Sequence, residues 1–473
     1  MVNWIFPLKL DGIFYICGSF NQAELKKIPV IRDSFSTNNL YRMKDFSPTK
    51  YILKSYKTGK EFEDTGWLLD APGEKEPSLV RAIYEKKQID VKDDSWGLYK
   101  FADWLPIKRV LDYSSAPVTY KSKGIGKKLG LENLWITFSG YWPEIGANMK
   151  TCSFKETEAF SVCGRMNGKM DRVLVVASAG NTSRAFAEVC SENNIPLLIC
   201  VPEDNLGALW FDEPLNDCVK LISSKKGCDY FDAIHLSNIV AGMEGFVAEG
   251  GAKNVARRDG MATTMLSAAT TIGRIPDYYF QAIGSGTGAI AAWEANLRLI
   301  EDGRFGSHKM KLMVSQNLPF KPIYDAWKAD SRSMLHFEDH DARLQVEEIV
   351  AKVLSNRKPP YPIAGGLYDA LKDAGGDVLL ATNAQAAEAA QLFLELEGND
   401  IHPASAVATA TLIDAVKNGT VQKDDVIMLN ITGGGEEKFK TENELFYLKP
   451  EIIFGVNPDE NEVREKVKDL FNK

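Results

Sequence analysis

Tyr278-Tyr-Phe-Gln-Ala-Ile283, Gly284-Ser-Gly-Thr-Gly288 and the run AIAAWEANLRLI from Ala289 to Ile300 follow one another without interruption. The first piece is aromatic and apolar, and it predicts a strand over Tyr279–Ile283. The last has helical spacing and predicts a helix over Ala289–Ile300. Glycines between a strand and a helix let the backbone close round a phosphate while the helix N-terminus faces it. No Gly-Lys-Ser/Thr follows, so the loop is not of the Walker type. Nor is it G-x-G-x-x-G: the third glycine comes one residue early and Ala289 holds the sixth position, which disfavours a dinucleotide. A plain glycine-rich turn is the alternative.

The same alternation extends on both sides. Strands are predicted over Leu134–Phe138, Arg172–Ala177, Ile195–Val201, Val219–Ile222, Lys311–Val314 and Asp425–Ile431. Helices are predicted over Phe154–Met166, Ser183–Asn193, Met261–Ile272, Ala384–Glu397 and Ala404–Lys417. The pattern implies an α/β protein with parallel sheets covered by helices. Residues 1 to about 75 carry no usable motif and read as irregular, and residues 76–110 read as a short helix followed by an extended aromatic segment. No internal repeat is visible.

Three further segments carry chemistry. In Thr151-Cys-Ser-Phe-Lys-Glu156 the neighbours of Lys155 are small or apolar, which suits a lysine whose amine must become neutral in a pocket. Taken alone, Lys155 reads as a solvated first-turn lysine, because lone lysines are usually surface residues. Ser178-Ala-Gly-Asn-Thr182 joins the strand RVLVVA to a helix, offering free N–H groups to a carboxylate and the Asn181 amide to a phenolate oxygen. An ordinary N-cap turn fits those residues as well. Asn430-Ile-Thr-Gly-Gly-Gly435 closes the set after the last predicted strand. A lysine, a Gly-Asn turn, a glycine loop and a late Thr-Gly-Gly-Gly, in that order, are what holds pyridoxal 5'-phosphate (PLP). With Thr432 at the ring nitrogen, the partner is a neutral hydroxyl, which favours elimination and replacement over transamination.

Gly250 to Gly260 (GGAKNVARRDG) is dense in cations: Lys253, Arg257 and Arg258 could receive a substrate anion, or simply form a solvated basic face. The histidines show no metal spacing beyond His336 and His340, which sit in an acidic stretch and read as surface; no metal is expected. The seven cysteines (Cys17, Cys152, Cys163, Cys190, Cys200, Cys218, Cys228) form no C-x-x-C pair and read as reduced thiols, with Cys152 lining the pocket rather than attacking.

With 473 residues the chain expects about two or three domains. A composition 45% apolar and 25% charged is that of an ordinary globular protein, and a net charge of −8 argues against a nucleic-acid surface. Lys9 and Asp11 interrupt the N-terminal apolar run, so no signal peptide is expected. No stretch approaches the roughly 20 apolar residues needed to cross a bilayer, and a cytoplasmic location is expected.

The order SFK, SAGNT, GSGTG, TGGG resembles threonine synthase and its relatives among the fold type II (tryptophan synthase β-like) PLP enzymes. Within that group LVRAIY, FADWLP, VTYKSKG, Phe138-Ser-Gly-Tyr-Trp-Pro-Glu144, TCSFKETEA, SAGNTSRAFA, EGGAKNVARRDG, QNLPF and LNITGGG are similar to the cysteate synthase family. The resemblance runs from about residue 79 to 436. It implies two three-layer α/β/α domains with the cofactor between them: 111–150 with 276–445 as the large PLP-binding domain and 151–275 as the smaller one, flanked by an extension (1–110) and a tail (446–473). It also implies that Lys155 bonds PLP and takes the α-proton, and that Asn181 contacts the 3-oxygen. Gly284, Ser285, Gly286, Thr287 and Gly288 hold the phosphate, and Thr432 meets the ring nitrogen. Ser178, Ala179, Gly180, Asn181 and Thr182 hold the amino acid's carboxylate, while Thr151 and Ser153 lie by a leaving phosphate. The implied reaction is β-replacement, O-phospho-L-serine plus sulfite giving L-cysteate plus phosphate, a product that in relatives leads to coenzyme M in methanogens or feeds sulfonolipids in bacteria. A homo-oligomer, a dimer first, is expected, with neither nucleic acid nor membrane as partner. Threonine synthase chemistry on O-phosphohomoserine, a cysteine-forming replacement, a PLP-binding paralogue without turnover and a nucleotide-binding module are the alternatives. Threonine synthases commonly read SFKD-R, where this chain has Glu156 and Thr157; Arg184 is also unusual after SAGNT. The lost and gained cations imply a different anion, with Arg184 expected to orient phosphate or sulfite.

Overall fold

Long runs of β-branched and apolar residues, too short for helices and lacking the alternation of a half-exposed strand, need cover on both faces. The computed structural model describes residues 46–471 apart from 93, 167–171, 179, 228–229 and 456. Ala179, Cys17 and Cys228 therefore lie outside the described residues, as does most of the segment before Tyr51.

The larger sheet has six strands in the order Asp377–Ala381, Lys311–Asn317, Tyr278–Ala282, Val426–Ile431, Asn133–Phe138 and Val118–Lys121. Neighbours are parallel except for the antiparallel edge strand Val118–Lys121. Period-two alternation sends side chains to two cores. Tyr279, Leu312, Val314 and Met428 pack with the helices Val255–Ile272, Thr287–Asp302 and Leu367–Ala374. Phe280, Met313, Ile427 and Leu429 pack with Asn383–Glu397 and Pro403–Lys417.

The smaller sheet has five parallel strands, Phe246–Ala248, Val173–Ala177, Leu197–Pro202, Val219–Ser224 and Ile452–Phe454. Val173, Val175, Leu198 and Ile222 share a core with Leu236 and Val240 and with Val463 and Val467 of the C-terminal helix Glu460–Phe471. The end of the chain thus completes this sheet and covers it.

Three expectations fail near the start. Residues 51–62, read as irregular, supply the strands Tyr51–Ser55 and Glu61–Phe62. The segment read as a short helix contains the strand Val80–Tyr84, antiparallel to Tyr51–Ser55. Val80, Ala82 and Tyr84 are buried while Arg81 and Ile83 are partly exposed, a period of two that outweighs the helical reading. The supposed extended segment is 3-10 helix over Asp94–Trp104, broken at Gly97, and it buries Tyr99, Phe101 and Trp104.

The Ser178–Thr182 turn, the Gly284–Gly288 loop and the Thr432–Gly435 segment all leave the carboxyl ends of parallel strands. That is where open α/β sheets bind ligands. Strands Tyr278–Ala282 and Val426–Ile431 are direct neighbours, so two of the three loops stand side by side.

Candidate active site

The lysine is set in place by backbone. Ser153 bridges Gly433, the Phe154 N–H donates to the Thr432 carbonyl at 2.9 Å, and the Gly434 N–H donates to the Cys152 carbonyl at 3.1 Å. These ties stitch the segment before Lys155 to Thr-Gly-Gly-Gly. Gly435 adopts φ 74° with its Cα against the Tyr141 carbonyl, so a Cβ there has no room. Lys155 then opens the helix Lys155–Arg165.

The glycine loop comes to the same place. Its helix starts at Thr287 after Gly286, whose φ of 78° suits glycine. A Cβ at position 288 would stand 3.1 Å from the Phe154 ring, and the Lys155 Nζ lies 4.8 Å from the centre of that ring. Ser285 and Thr287 hydroxyls bond each other at 2.8 Å across the turn. The start of a 16-residue helix therefore packs against Phe154, the residue before the lysine. Ser153 Oγ is buried without a hydrogen-bond partner among the described residues. A narrow cradle, an orphaned hydroxyl and an amine fit a phosphate-bearing aldehyde.

Lys155 is surrounded by charge on its other side. Its side chain is 21% exposed, and Nζ lies 3.2 Å from Glu158 Oε2. Glu158 Oε1 lies 3.0 Å from Arg257 Nη2, and Arg257 Nη1 lies 2.6 Å from Glu249 Oε2. Burial pushes the Lys155 amine below the ordinary lysine range, with Glu158 opposing and Arg257 assisting. Burial also raises the Glu249 carboxyl. Arg257 reaches Thr182 Oγ1 at 3.5 Å, which links this chain of ions to the Ser178–Thr182 turn.

Arg184, expected to orient an anion, serves protein acceptors through both terminal nitrogens, while its buried Nε has no hydrogen-bond partner among the described residues. Its Nη1 donates to the Ala208 carbonyl at 2.9 Å, and its Nη2 donates to the Thr151 carbonyl at 2.9 Å and to Asn181 Oδ1 at 3.1 Å. The guanidinium stacks 3.9 Å over Trp210 and is 3.7 Å from Glu436. These acceptors belong to the protein, so Arg184 staples segments together. Since arginine only donates, it fixes the Asn181 oxygen inward and leaves the amide N–H2 to face elsewhere. Glu436, although burial works against its charge, is held well below the carboxylate range by His402 at 2.8 Å, Arg184 and Lys440.

Other expected residues fall less centrally. Thr151 gives both its N–H (3.1 Å) and its hydroxyl (3.0 Å) to Glu156 Oε2. Burial raises the Glu156 carboxyl to about 7. Lys253 pairs with Asp70 at 2.7 Å with its side chain 40% exposed, outside the Lys155 ion chain. Arg258, also considered for a substrate anion, is buried against Glu294 at 2.9 Å and the carbonyls of Ala252 and Val80. Cys152 is buried beside Trp210 and Phe439, and burial raises its thiol, which suits lining rather than attack. Reasoning from the sequence missed Glu158, Glu249, Glu436, His402 and Trp210. Glu158 alone carried a signal, its i, i+3 spacing from Lys155.

Residues 121–433 match the family described as pyridoxal-phosphate dependent enzyme. The cysteate synthase of Methanosarcina acetivorans is 48% identical over 87% of this chain and 98% of its own length. That of Methanocella paludicola is 50% identical over 79% of this chain and 87% of its own. Among solved structures, maize serine racemase superposes with a TM-score of 0.53 at 14% identity, over 67% of this chain and 88% of that one. A fungal L-serine ammonia-lyase from Rhizomucor miehei gives 0.51 at 11%, over 69% and 100%. These two share the fold. Fold, ordered motifs and extent of identity together make the chain a PLP-dependent enzyme of fold type II, belonging to the cysteate synthase family.

Proposed function

We propose that the chain catalyses β-replacement on O-phospho-L-serine: sulfite displaces phosphate to give L-cysteate. The observation that carries the reading is identity of about half the residues with cysteate synthases along nearly their whole length. The residues at hand suit the parts. The Gly284–Gly288 loop and the helix behind it would hold the cofactor phosphate, Asn181 its 3-oxygen and Thr432 its ring nitrogen. Bound there, PLP supplies an electron sink for charge developing at the substrate Cα.

Ser178, Gly180 and Thr182, at the start of a helix, would hold the substrate carboxylate, with Ala179 expected beside them. The amine of Lys155 takes the Cα proton and later returns it. Phosphate leaves Cβ, and sulfite sulfur bonds to the same carbon. Ser153 is better placed than Thr151 to meet the departing phosphate, because both Thr151 donors already serve Glu156. Arg257 stands between the carboxylate turn and the lysine, where its charge favours anions despite two carboxylate partners. The reading has the protein acting in the cytoplasm as a homodimer, its sulfonate product feeding coenzyme M. No helix among the described residues is long and apolar enough to cross a membrane.

The test is product analysis. PLP-loaded enzyme given O-phosphoserine and sulfite is expected to release phosphate and form cysteate in equal amounts. Phosphate release from O-phosphohomoserine alone would reject the reading in favour of threonine synthase chemistry. Size-exclusion chromatography with light scattering tests the dimer.

A further inference from the structure

The ion chain beside the lysine has a role the replacement reaction leaves unassigned. Lys155 must be released from the cofactor for every substrate bound, and at that moment its amine needs a fixed position and a way to carry charge. Glu158 is one turn along the same helix, 0% exposed, with Oε2 3.2 Å from Nζ. Its other oxygen is 3.0 Å from Arg257 Nη2, a charge contact without hydrogen-bond geometry. Arg257 is in turn paired with Glu249, whose Oε2 also accepts the Gly251 N–H at 3.0 Å. Charged groups thus face the amine from its own helix (Glu158), from the helix Val255–Ile272 (Arg257) and from the loop before it (Glu249).

We propose that Glu158 is a second catalytic group, the counter-ion that receives Lys155 each time the lysine leaves the cofactor. The proton balance is simple. A proton leaves the substrate Cα and bonds to Nζ, turning the amine into an ammonium. Glu158 accepts a hydrogen bond from that ammonium and takes no proton itself. The same proton then goes back to Cα and the amine is neutral again. The charge of Arg257, itself paired with Glu249, attracts the carboxylate from the other side. The proposal rests on Lys155 being the PLP attachment point.

Two readouts test it on full-length protein stripped of PLP and reloaded. Attachment needs the neutral amine, and the Glu158 charge favours the ammonium. In Glu158→Gln the pH midpoint for PLP attachment, trapped by borohydride and counted at Lys155 by mass spectrometry, is expected to move acidward by about one to two pH units. Exchange of the phosphoserine α-proton in heavy water, without sulfite, is expected to slow at least about tenfold. Glu158→Asp keeps the charge but retracts it, so both effects should be present and smaller; it also serves if the glutamine variant does not fold. An unmoved midpoint or an unchanged exchange rate in the folded variant overturns the proposal. Wild-type protein that takes no label at Lys155 overturns the attachment reading instead.

Discussion

Loops from the six-stranded sheet build their side of the site from backbone: Gly284–Gly288 is a glycine turn at a helix start, and Thr432–Gly434 is tied by main-chain bonds to the segment before Lys155. Loops from the five-stranded sheet build theirs from side-chain ions: Arg184 after the strand Val173–Ala177, and Glu249 with Arg257 after Phe246–Ala248. A phosphate common to all PLP enzymes needs only oriented dipoles, whereas the reaction-specific side has to manage moving protons and arriving anions. Within a family the first side should be fixed and the second should carry specificity.

Breaking the ionic side should have the largest effect. Arg184 is 2% exposed and serves three acceptors, so Arg184→Met leaves the Thr151 and Ala208 carbonyls and the Asn181 oxygen unpaired. A loss of about 3–5 kcal/mol in urea-denaturation stability is expected, with weaker PLP retention. Breaking the backbone side comes next. Gly286→Ala puts a Cβ 2.7 Å from Leu367 Cδ2 at φ 78°, and should cost about 1–3 kcal/mol and show as PLP lost on dialysis.

These two sides differed in how far the sequence revealed them. Glycine loops leave a compact signature, because five adjacent residues do the work, and buried parallel strands such as RVLVVA announce themselves by composition. Long-range side-chain contacts leave none: Arg184 meets carbonyls 33 and 24 residues away, and Arg257 meets Thr182 across 75. For that reason the sequence offers Arg184 as an anion receiver without showing that its Nη1 and Nη2 serve protein acceptors and that its Nε alone is left without a hydrogen-bond partner among the described residues. The strand Val80–Tyr84 reads as helix in the sequence because its pattern is brief and its partner, Tyr51–Ser55, lies in a segment with no motif.

A smaller effect sharpens the account of Glu156. Its carboxyl is raised from the ordinary range to about 7, so folding binds a proton between those values. Stability from that group is complete at acid pH and declines as pH rises toward and through 7. Wild-type stability should therefore fall between about pH 5 and 8 by one or two kcal/mol more than that of Glu156→Gln, measured by urea titration at each pH. The smallest effect is expected at Lys253: its half-exposed pair with Asp70 should contribute no more than about 0.5 kcal/mol, and Lys253→Ala should leave turnover unchanged. A large kinetic loss there would extend the ionic side beyond the chain that ends at Glu249.

The central claim is that one amine, that of Lys155, joins the two sides through the cofactor. Borohydride reduction of the PLP-loaded protein followed by peptide mapping tests it directly. The expected result is one pyridoxyl group per chain on the peptide containing Thr151-Cys-Ser-Phe-Lys155; label on a different lysine, or a fully loaded protein with none at Lys155, would contradict the account.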